Sequence, residues 1–185
     1  MVVRAGNGPS GRTSIVLSVL TTNQRGLLAE AAILLECVKV GLGVSRPLDD
    51  ERYDLIIDLR PRLLRVQCKL ARRQRDIVRV RLYTSRRGPN GMVVRTYDSA
   101  EIDVFGVYCP ETSSCYLLPA VEFAAFRVVH LRLAPSGNSQ VAGIRWARDY
   151  AFGATLSRLQ GPIAQLGEHL HGMQKVAGSS PAGST

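Results

Sequence analysis

The fold is decided by residues 52–70, which read RYDLIIDLRPRLLRVQCKL. Two runs rich in branched and aliphatic residues, 53–59 and 63–70, lie on either side of an Arg-Pro-Arg turn at 60–62. Short runs of this kind, separated by turn residues, are typical of neighbouring β-strands. The stretch therefore predicts two antiparallel strands joined by a tight turn.

Three side chains suited to metal or phosphate chemistry lie on this strand pair. Asp54 stands at the start of the first strand, and the pairing places it near Gln67 and Lys69, which alternate onto one face. Oxygen atoms from Asp54, Gln67 and the backbone carbonyl of Cys68 suit a hard cation such as Mg²⁺. The Lys69 ammonium could orient an attacking water and neutralise charge that builds up on a phosphate.

The remaining pattern predicts one helix packed on a mixed sheet. Apolar residues recur at helical spacing from Asn23 to Val38, with Asn23 as the cap and the glycines at 41 and 43 as the stop. Further short strands are predicted at 77–82, 102–109, 115–118 and 127–133, and a loop at 88–91. We therefore expect an α/β (α+β) fold in which Glu30 lies on the helix.

Composition limits the class of protein. The chain has 185 residues and a formal charge of +9, and 45% of the residues are hydrophobic, enough for one core. No apolar run approaches the roughly 20 residues of a membrane span, and the four cysteines lack zinc-binding spacing. We expect one basic domain with free thiols and no membrane partner, located in the cytoplasm of a bacterium near its nucleoid.

The positive charge is concentrated in one segment. Residues 60–95 contain twelve basic side chains and a single acidic one, Asp76. Arg79 and Arg81 alternate with valines, which predicts a strand with one basic face and one buried face. Such a surface suits the phosphates of double-stranded DNA. The candidate DNA contacts are Arg79, Arg81, Arg86, Arg87 and Arg95.

A family resemblance extends over residues 23–150. The segments that carry it are, in order, GLLAEAA (26–32), RYDLIID (52–58), LRVQCK (64–69), YD (97–98), EIDVFGVYCPE (101–111) and GIRWA (143–147). Together they resemble the PD-(D/E)xK nuclease superfamily, and more narrowly its endonucleases associated with group I introns. The resemblance implies a restriction-endonuclease-like core, a mixed β-sheet flanked by helices.

The resemblance also implies roles for particular residues. The metal and catalytic positions of the family fall on Glu30, Asp54, Gln67 and Lys69, with the Cys68 carbonyl as a further metal ligand. The implied cofactor is Mg²⁺ or Mn²⁺, and the implied activity is hydrolysis of phosphodiester bonds in double-stranded DNA. Two cuts on a duplex need two active sites, so we expect a homo-oligomer, a dimer or higher.

One departure from the superfamily concerns Gln67, since most members have a carboxylate at this position. A neutral amide oxygen binds a divalent cation less strongly. We interpret Gln67 as a variant that the intron-associated branch tolerates. A DNA-binding protein with a degraded site remains an alternative, as do a decayed reading frame and a Holliday-junction-resolvase-like or repair nuclease of the same superfamily.

Several acidic residues have alternative interpretations. Glu30, taken alone, fits a solvated helix residue, Asp54 could cap a strand, and Asp58 could supply the acid in its place. Asp103 is a further carboxylate without an assigned role. Lys69 is harder to explain as an ordinary surface residue, because it is one of three lysines in an arginine-rich chain.

The ends of the chain are interpreted separately from the domain. We expect a flexible extension at 1–21, a nuclease domain at 22–152 and a disordered tail at 153–185. Residues 161–185 resemble a bacterial tRNA gene translated in frame, with codons available for an acceptor stem and a T-arm. Group I introns commonly interrupt tRNA genes. This points to a homing endonuclease whose target is a tRNA gene.

Overall fold

A computed structural model describes residues 19–135 and 142–161 of the chain. The strands are β1 (Gly43–Ser45), β2 (Leu55–Asp58), β3 (Leu63–Leu70), β4 (Arg72–Gln74), β5 (Ile77–Arg81), β6 (Tyr83–Gly88), β7 (Gly91–Thr96), β8 (Val104–Cys109), β9 (Ser114–Pro119) and β10 (Val128–Arg132). The helices are α1 (Thr22–Lys39), α2 (Ala120–Phe123) and α3 (Phe152–Gln160), and a 3-10 helix spans Ala147–Tyr150.

Within residues 19–135 and 142–161, the strands form three separate sheets. A five-stranded sheet has the order β1-β2-β3-β8-β9, in which β3 and β8 are parallel and the other pairs antiparallel. A three-stranded antiparallel sheet has the order β10-β5-β4, and β6 and β7 form an isolated two-stranded ribbon. The predicted mixed sheet flanked by helices, an α+β fold, is therefore confirmed.

The five-stranded sheet lies between two hydrophobic cores. On one face, Leu64 and Val66 of β3 pack with Ile33 of α1 and Leu156 of α3. On the other face, the side chains of β8 and β9 pack with those of β5 and β10. Because alternate residues of β3 point to opposite faces, Gln67 and Lys69 project away from α1, toward the second core.

Helix α1 is the predicted helix, with a different cap and a different buried face. The cap is Thr21 and not Asn23, because Thr21 and Gln24 form a reciprocal capping box. The buried positions are Ala29, Ile33 and Cys37, spaced four residues apart. Leu27, Leu34, Leu35 and Val38, which contribute to the apolar pattern, are instead exposed by between 39% and 59%.

Two other segments differ from the sequence-based expectation. The predicted loop at 88–91 is the tip of the β6–β7 ribbon, whose strands were not predicted because they are almost wholly exposed and lack the alternation that identifies a half-buried strand. The predicted disordered tail begins too early, since residues 153–160 lie in α3, where Phe152 and Leu156 are buried. Residues 1–18 and 162–185, with most of both extensions, lie outside the described part of the chain.

Three further features concern the cysteines, the hydropathy of the helices and the turn between β2 and β3. All four cysteines are free. Within the described ranges, no helix is both long enough and apolar enough to cross a membrane. The turn between β2 and β3 contains a cis peptide bond at Arg60–Pro61.

Gly106 of β8 fixes how closely α1 approaches the sheet. A Cβ atom at this position would lie 2.9 Å from Val66 Cγ1 and 3.1 Å from Ile33 Cγ1. We predict that Gly106→Ala lowers the free energy of unfolding by about 1–3 kcal/mol, as overpacking of a filled core does. Gly153→Ala is the control, since no atom of the described residues lies within 4 Å of a Cβ placed at that position. Urea denaturation measures both, and equal effects would contradict the close approach.

Candidate active site

Hydrogen bonds between β2 and β3 hold Asp54 in place. The Asp54 backbone N–H donates to the Val66 carbonyl oxygen at 2.8 Å, immediately before β2 begins. The backbone N–H of Cys68 then donates to Asp54 Oδ2 at 2.7 Å. The strand pairing thus places the Asp54 carboxylate against the backbone of β3, as the sequence predicts.

The Gln67 side chain bridges two oxygen atoms. Its Nε2 donates to Asp54 Oδ2 at 2.5 Å and to the Cys68 carbonyl oxygen at 3.4 Å. Both partners are acceptors, which fixes the orientation of the amide. Gln67 is also buried, with 9% of its surface exposed. The amide nitrogen therefore occupies the point on which the two oxygen atoms converge.

A hard divalent cation would fit this arrangement only after the Gln67 amide turns. Rotating the Gln67 amide by a half turn would direct Oε1, in place of Nε2, toward Asp54 Oδ2 and the Cys68 carbonyl. Three oxygen donors would then surround one point, which suits Mg²⁺ or Mn²⁺ with additional water ligands. No group of three or more His, Cys, Asp or Glu side chains with suitable spacing occurs among the described residues. A site here must therefore use an amide and a backbone carbonyl.

Burial shifts the protonation equilibrium of Asp54. The loss of water around the carboxyl group raises the pKa of Asp54 above its ordinary value, and the nearby Glu30 carboxylate raises it further. The hydrogen bond from the Cys68 N–H lowers the pKa of Asp54 and is the largest effect after burial, whereas the charges of Lys69 and Arg46 lower it less. A bound cation would also favour the ionised form of Asp54.

Glu30 reaches the site from α1. Glu30 and Asp54 line one open cavity of about 290 Å³ together with Arg46. Arg46 forms an ion pair with Glu30, whose side chain is only 16% exposed. Glu30 is thus a partly buried residue beside the site rather than a solvated helix residue. Its carboxylate is already paired with a cationic side chain.

Lys69 lies on the same face of β3 as Gln67, held by an aromatic ring. Lys69 Nζ donates to the Tyr97 hydroxyl oxygen at 2.8 Å. The guanidinium of Arg52 lies 4.2 Å from the centre of the Tyr97 ring. Burial is the main cause that lowers the pKa of Lys69 from 10.5 to about 8, and the positive charge of Arg52 contributes to this decrease.

The β6–β7 ribbon forms one wall of a cleft that opens on the site. This cleft of about 380 Å³ is lined by Asp54 and Gln67 on one side and by Arg86 and Arg95 of the ribbon on the other. Strand alternation places Arg87 on the opposite face of the ribbon. Arg95 forms an ion pair with Glu101 at 2.5 Å.

The structure separates the remaining candidates from this cleft. Arg79 and Arg81 lie on the three-stranded sheet and line a different cavity. Asp58 stands at the other end of β2, where it pairs with Arg60 at 3.7 Å, so it does not replace Asp54. The carboxylate of Asp103 binds Arg65 through hydrogen bonds of 2.7 to 3.0 Å.

No sequence pattern indicated a role for Arg46, Arg52 or Tyr97. Arg46 and Arg52 lie in the connection between β1 and β2, and two arginines in an arginine-rich chain give no specific signal. Tyr97 follows directly after β7 and packs edge-on against Phe105, with ring centres 5.5 Å apart. Its contact with Lys69 joins positions 28 residues apart, which no local pattern reveals.

Comparison with known families identifies the class of protein. Residues 20–153 match the family model described as PD-(D/E)XK endonuclease. This match spans more than half of the chain, so the protein belongs to the PD-(D/E)XK endonuclease family. No protein with a curated description matches the chain.

Comparison with solved structures identifies the fold. The bacterial homing endonuclease I-Ssp6803I aligns with a TM-score of 0.62 and 23% sequence identity, covering 79% of this chain and 99% of its own. MepB aligns more weakly, with a TM-score of 0.33 and 15% identity over 70% of this chain and 91% of its own. The predicted restriction-endonuclease-like fold is confirmed by the family model and the first of these likenesses.

Because Lys69 is buried as a cation, we predict that Lys69→Met stabilises the fold. The lowered pKa means that burial disfavours the charged form of Lys69. Replacing the charged side chain by methionine should therefore raise the free energy of unfolding at pH 7 by about 1–3 kcal/mol. The charged form is the main folded form below pH 8, and the unfolded chain loses its proton only near 10.5. The advantage of Lys69→Met should therefore shrink as pH rises from 8 to 10.5.

Lys39→Met is the matched control for this prediction. Lys39 lies at the end of α1, more than half exposed, and pairs with Glu36 at 2.8 Å. Its replacement should change stability little or lower it slightly. Urea denaturation at several pH values measures both variants. A Lys69→Met protein that is less stable than the Lys39→Met protein would show that the buried charge of Lys69 does not destabilise the fold.

Proposed function

We propose that the protein is a metal-dependent DNA endonuclease that hydrolyses phosphodiester bonds. The observation that supports this most directly is the convergence of Asp54 Oδ2 and the Cys68 carbonyl on the Gln67 amide, with Lys69 on the same face of β3. The family of the chain gives the reaction class, and these residues supply ligands for the cation and a positive charge for the phosphate.

The roles of the residues follow from their chemistry. A bound Mg²⁺ or Mn²⁺ would polarise the phosphoryl oxygen and lower the pKa of a coordinated water. Asp54, Gln67 and the Cys68 carbonyl would hold it, and Glu30 would assist through water ligands. Lys69, positioned by Tyr97, would place its ammonium beside the phosphate and offset charge that develops during hydrolysis.

Double-stranded DNA is the proposed substrate because of the cleft and its ribbon. The major groove of B-DNA admits a two-stranded β-ribbon. The β6–β7 ribbon has this form, its strand residues are almost all exposed, and it carries Arg86 toward the site and Arg87 on the other face. Inserted in the groove, it would bring the backbone of the duplex into the cleft where Asp54 lies.

The biological context that we propose is intron homing. The solved structure I-Ssp6803I is that of a bacterial homing endonuclease, which supports a similar activity here. The resemblance of residues 161–185 to a translated tRNA gene suggests a group I intron as the source and a tRNA gene as the target. We further propose residues 22–152 as the nuclease domain. Cleavage of four-way junctions regardless of sequence would favour a junction-resolving nuclease.

We also propose that the enzyme acts as a homo-oligomer. Two strands of a duplex need two active sites. The exposed leucines and valine of α1 offer an apolar stripe for contact with a second copy, in which positions 27, 34, 35 and 38 lie at helical spacing.

A non-catalytic DNA-binding protein is a second candidate function. The observation in its favour is that the Gln67 amide nitrogen, a hydrogen-bond donor, stands between the two oxygen atoms that a cation would need. If the amide never rotates, the site cannot bind a cation through Gln67. Such a protein would retain DNA but leave it uncut at every Mg²⁺ concentration.

The decisive assay uses plasmid DNA that carries an intronless tRNA gene. With Mg²⁺ we predict cleavage by the wild-type protein and by Lys39→Met, and a loss of at least about a hundredfold in rate for Asp54→Asn and Lys69→Met. DNA retention should persist in all four proteins, since none of these residues lies on the ribbon. Uncut plasmid with wild-type protein that still binds DNA would favour the second candidate. Equal cutting by all four would disprove the proposed site.

A further inference from the structure

The outer face of the three-stranded sheet carries a row of basic side chains. Arg72 of β4 lies opposite Arg79 of β5, and Arg79 lies opposite His130 of β10. The alternate residues of β5, Val78 and Val80, are fully buried. The row therefore faces away from the hydrophobic core.

Helix α1 contributes a further arginine to this surface. An open cavity of about 370 Å³ is lined by Arg25, Leu70, Arg72, Gln74, Arg79 and Arg81. We call its four arginines the sheet-face cluster. No acidic side chain lies among these lining residues, whereas the cleft above Asp54 contains several.

The charge of the sheet-face cluster is not balanced by acidic partners. Within the described ranges, none of the four arginines forms an ion pair, whereas Arg52, Arg65 and Arg95 near the cleft all do. The Nε atom of Arg25 is buried and has no hydrogen-bond partner in the same ranges. Like charges directly opposite on neighbouring strands destabilise a sheet. A bound polyanion would relieve this repulsion.

Two segments of the chain connect the sheet-face cluster to the candidate active site. Arg72 follows Lys69 by three residues, so their Cα atoms are at most about 10 Å apart at the rise of a strand. Arg25 precedes Glu30 by five residues of α1, a rise of about 7.5 Å along the helix. Phosphates of one DNA strand succeed one another about every 3.4 Å along the duplex axis. Phosphates about three nucleotides from the cut are therefore within reach.

We propose that the sheet-face cluster is a second DNA contact, which binds the phosphate backbone of the duplex beside the cut. This inference rests on the proposed DNA endonuclease function and extends it to a surface outside the cleft. Contacts to phosphates carry no base information, so the cluster sets the position of the duplex and leaves sequence recognition to other elements. Guanidinium groups that have no protein carboxylate as partner are well suited to phosphate oxygens.

The test is the salt dependence of DNA affinity. Fluorescence anisotropy with a labelled duplex, in the absence of divalent cations, gives the slope of log affinity against log salt concentration. Each of Arg72→Gln and Arg79→Gln should reduce the steepness of this slope by about 1. Between about 50 mM and 200 mM salt, the wild-type protein would then lose roughly fourfold more affinity than either variant.

Arg73→Gln is the matched control. Arg73 is an exposed neighbour on β4 that lies opposite the buried Val78, so it belongs to the other face of the strand. Its replacement removes the same charge but should change the slope much less than the replacement of Arg72. Thermal unfolding gives a second measurement, because Arg72→Gln should stabilise the sheet slightly by removing a like-charge pair.

The outcomes separate this inference from the function on which it rests. Equal slopes for Arg72→Gln and Arg73→Gln would overturn the sheet-face cluster as a contact, even if the wild-type protein binds and cuts DNA. Wild-type protein that fails to bind duplex DNA at low salt would overturn both the contact and the proposed function. A reduced slope for Arg72→Gln and Arg79→Gln alone supports the contact, whether or not the plasmid is cut.

Discussion

The hydrogen bond from the Cys68 backbone N–H to Asp54 Oδ2, 2.7 Å long, is the interaction on which the candidate site depends. It requires β2 and β3 to pair in one register, since a slip of one residue would turn Gln67 and Lys69 to the opposite face. The register is in turn fixed by the core, because Leu55, Leu64 and Val66 must all be buried under α1 and α3. The packing of apolar side chains thereby sets the position of a carboxylate.

The two cores give the two sides of β3 different chemistry. Toward α1 the sheet is apolar, whereas the opposite side holds Gln67 and Lys69 between the second core and the cleft. Burial there raises the pKa of Asp54 and lowers that of Lys69, because it disfavours the charged form of each side chain. A cation and a phosphate would supply the opposite charges that each side chain lacks. The surroundings of the site thus favour ligands of this kind.

The sequence predicts the part of the site that depends on local pattern. The bounds of β3 agree with the prediction, and the pairing with β2 brings Asp54 to Gln67 as expected, because alternation and turn residues specify a hairpin. The two strands of the ribbon were not predicted, since strands exposed on both faces have no apolar alternation. The sequence does not indicate the roles of Tyr97 and Arg46, because each contacts a residue that is distant in sequence and is brought close only by tertiary packing. The orientation of the Gln67 amide likewise follows from its neighbours, not from its position along the chain.

We propose that Asp54, Gln67 and the Cys68 carbonyl form a divalent cation site once the Gln67 amide rotates. Calorimetric titration of the DNA-free protein with Mn²⁺ tests this most directly, with Gln67→Glu and Asp54→Asn measured beside the wild type. We predict one weak site in the wild-type protein, at least about tenfold tighter binding in Gln67→Glu because a carboxylate replaces the amide, and no binding in Asp54→Asn. Equal Mn²⁺ binding by all three proteins would contradict this proposal.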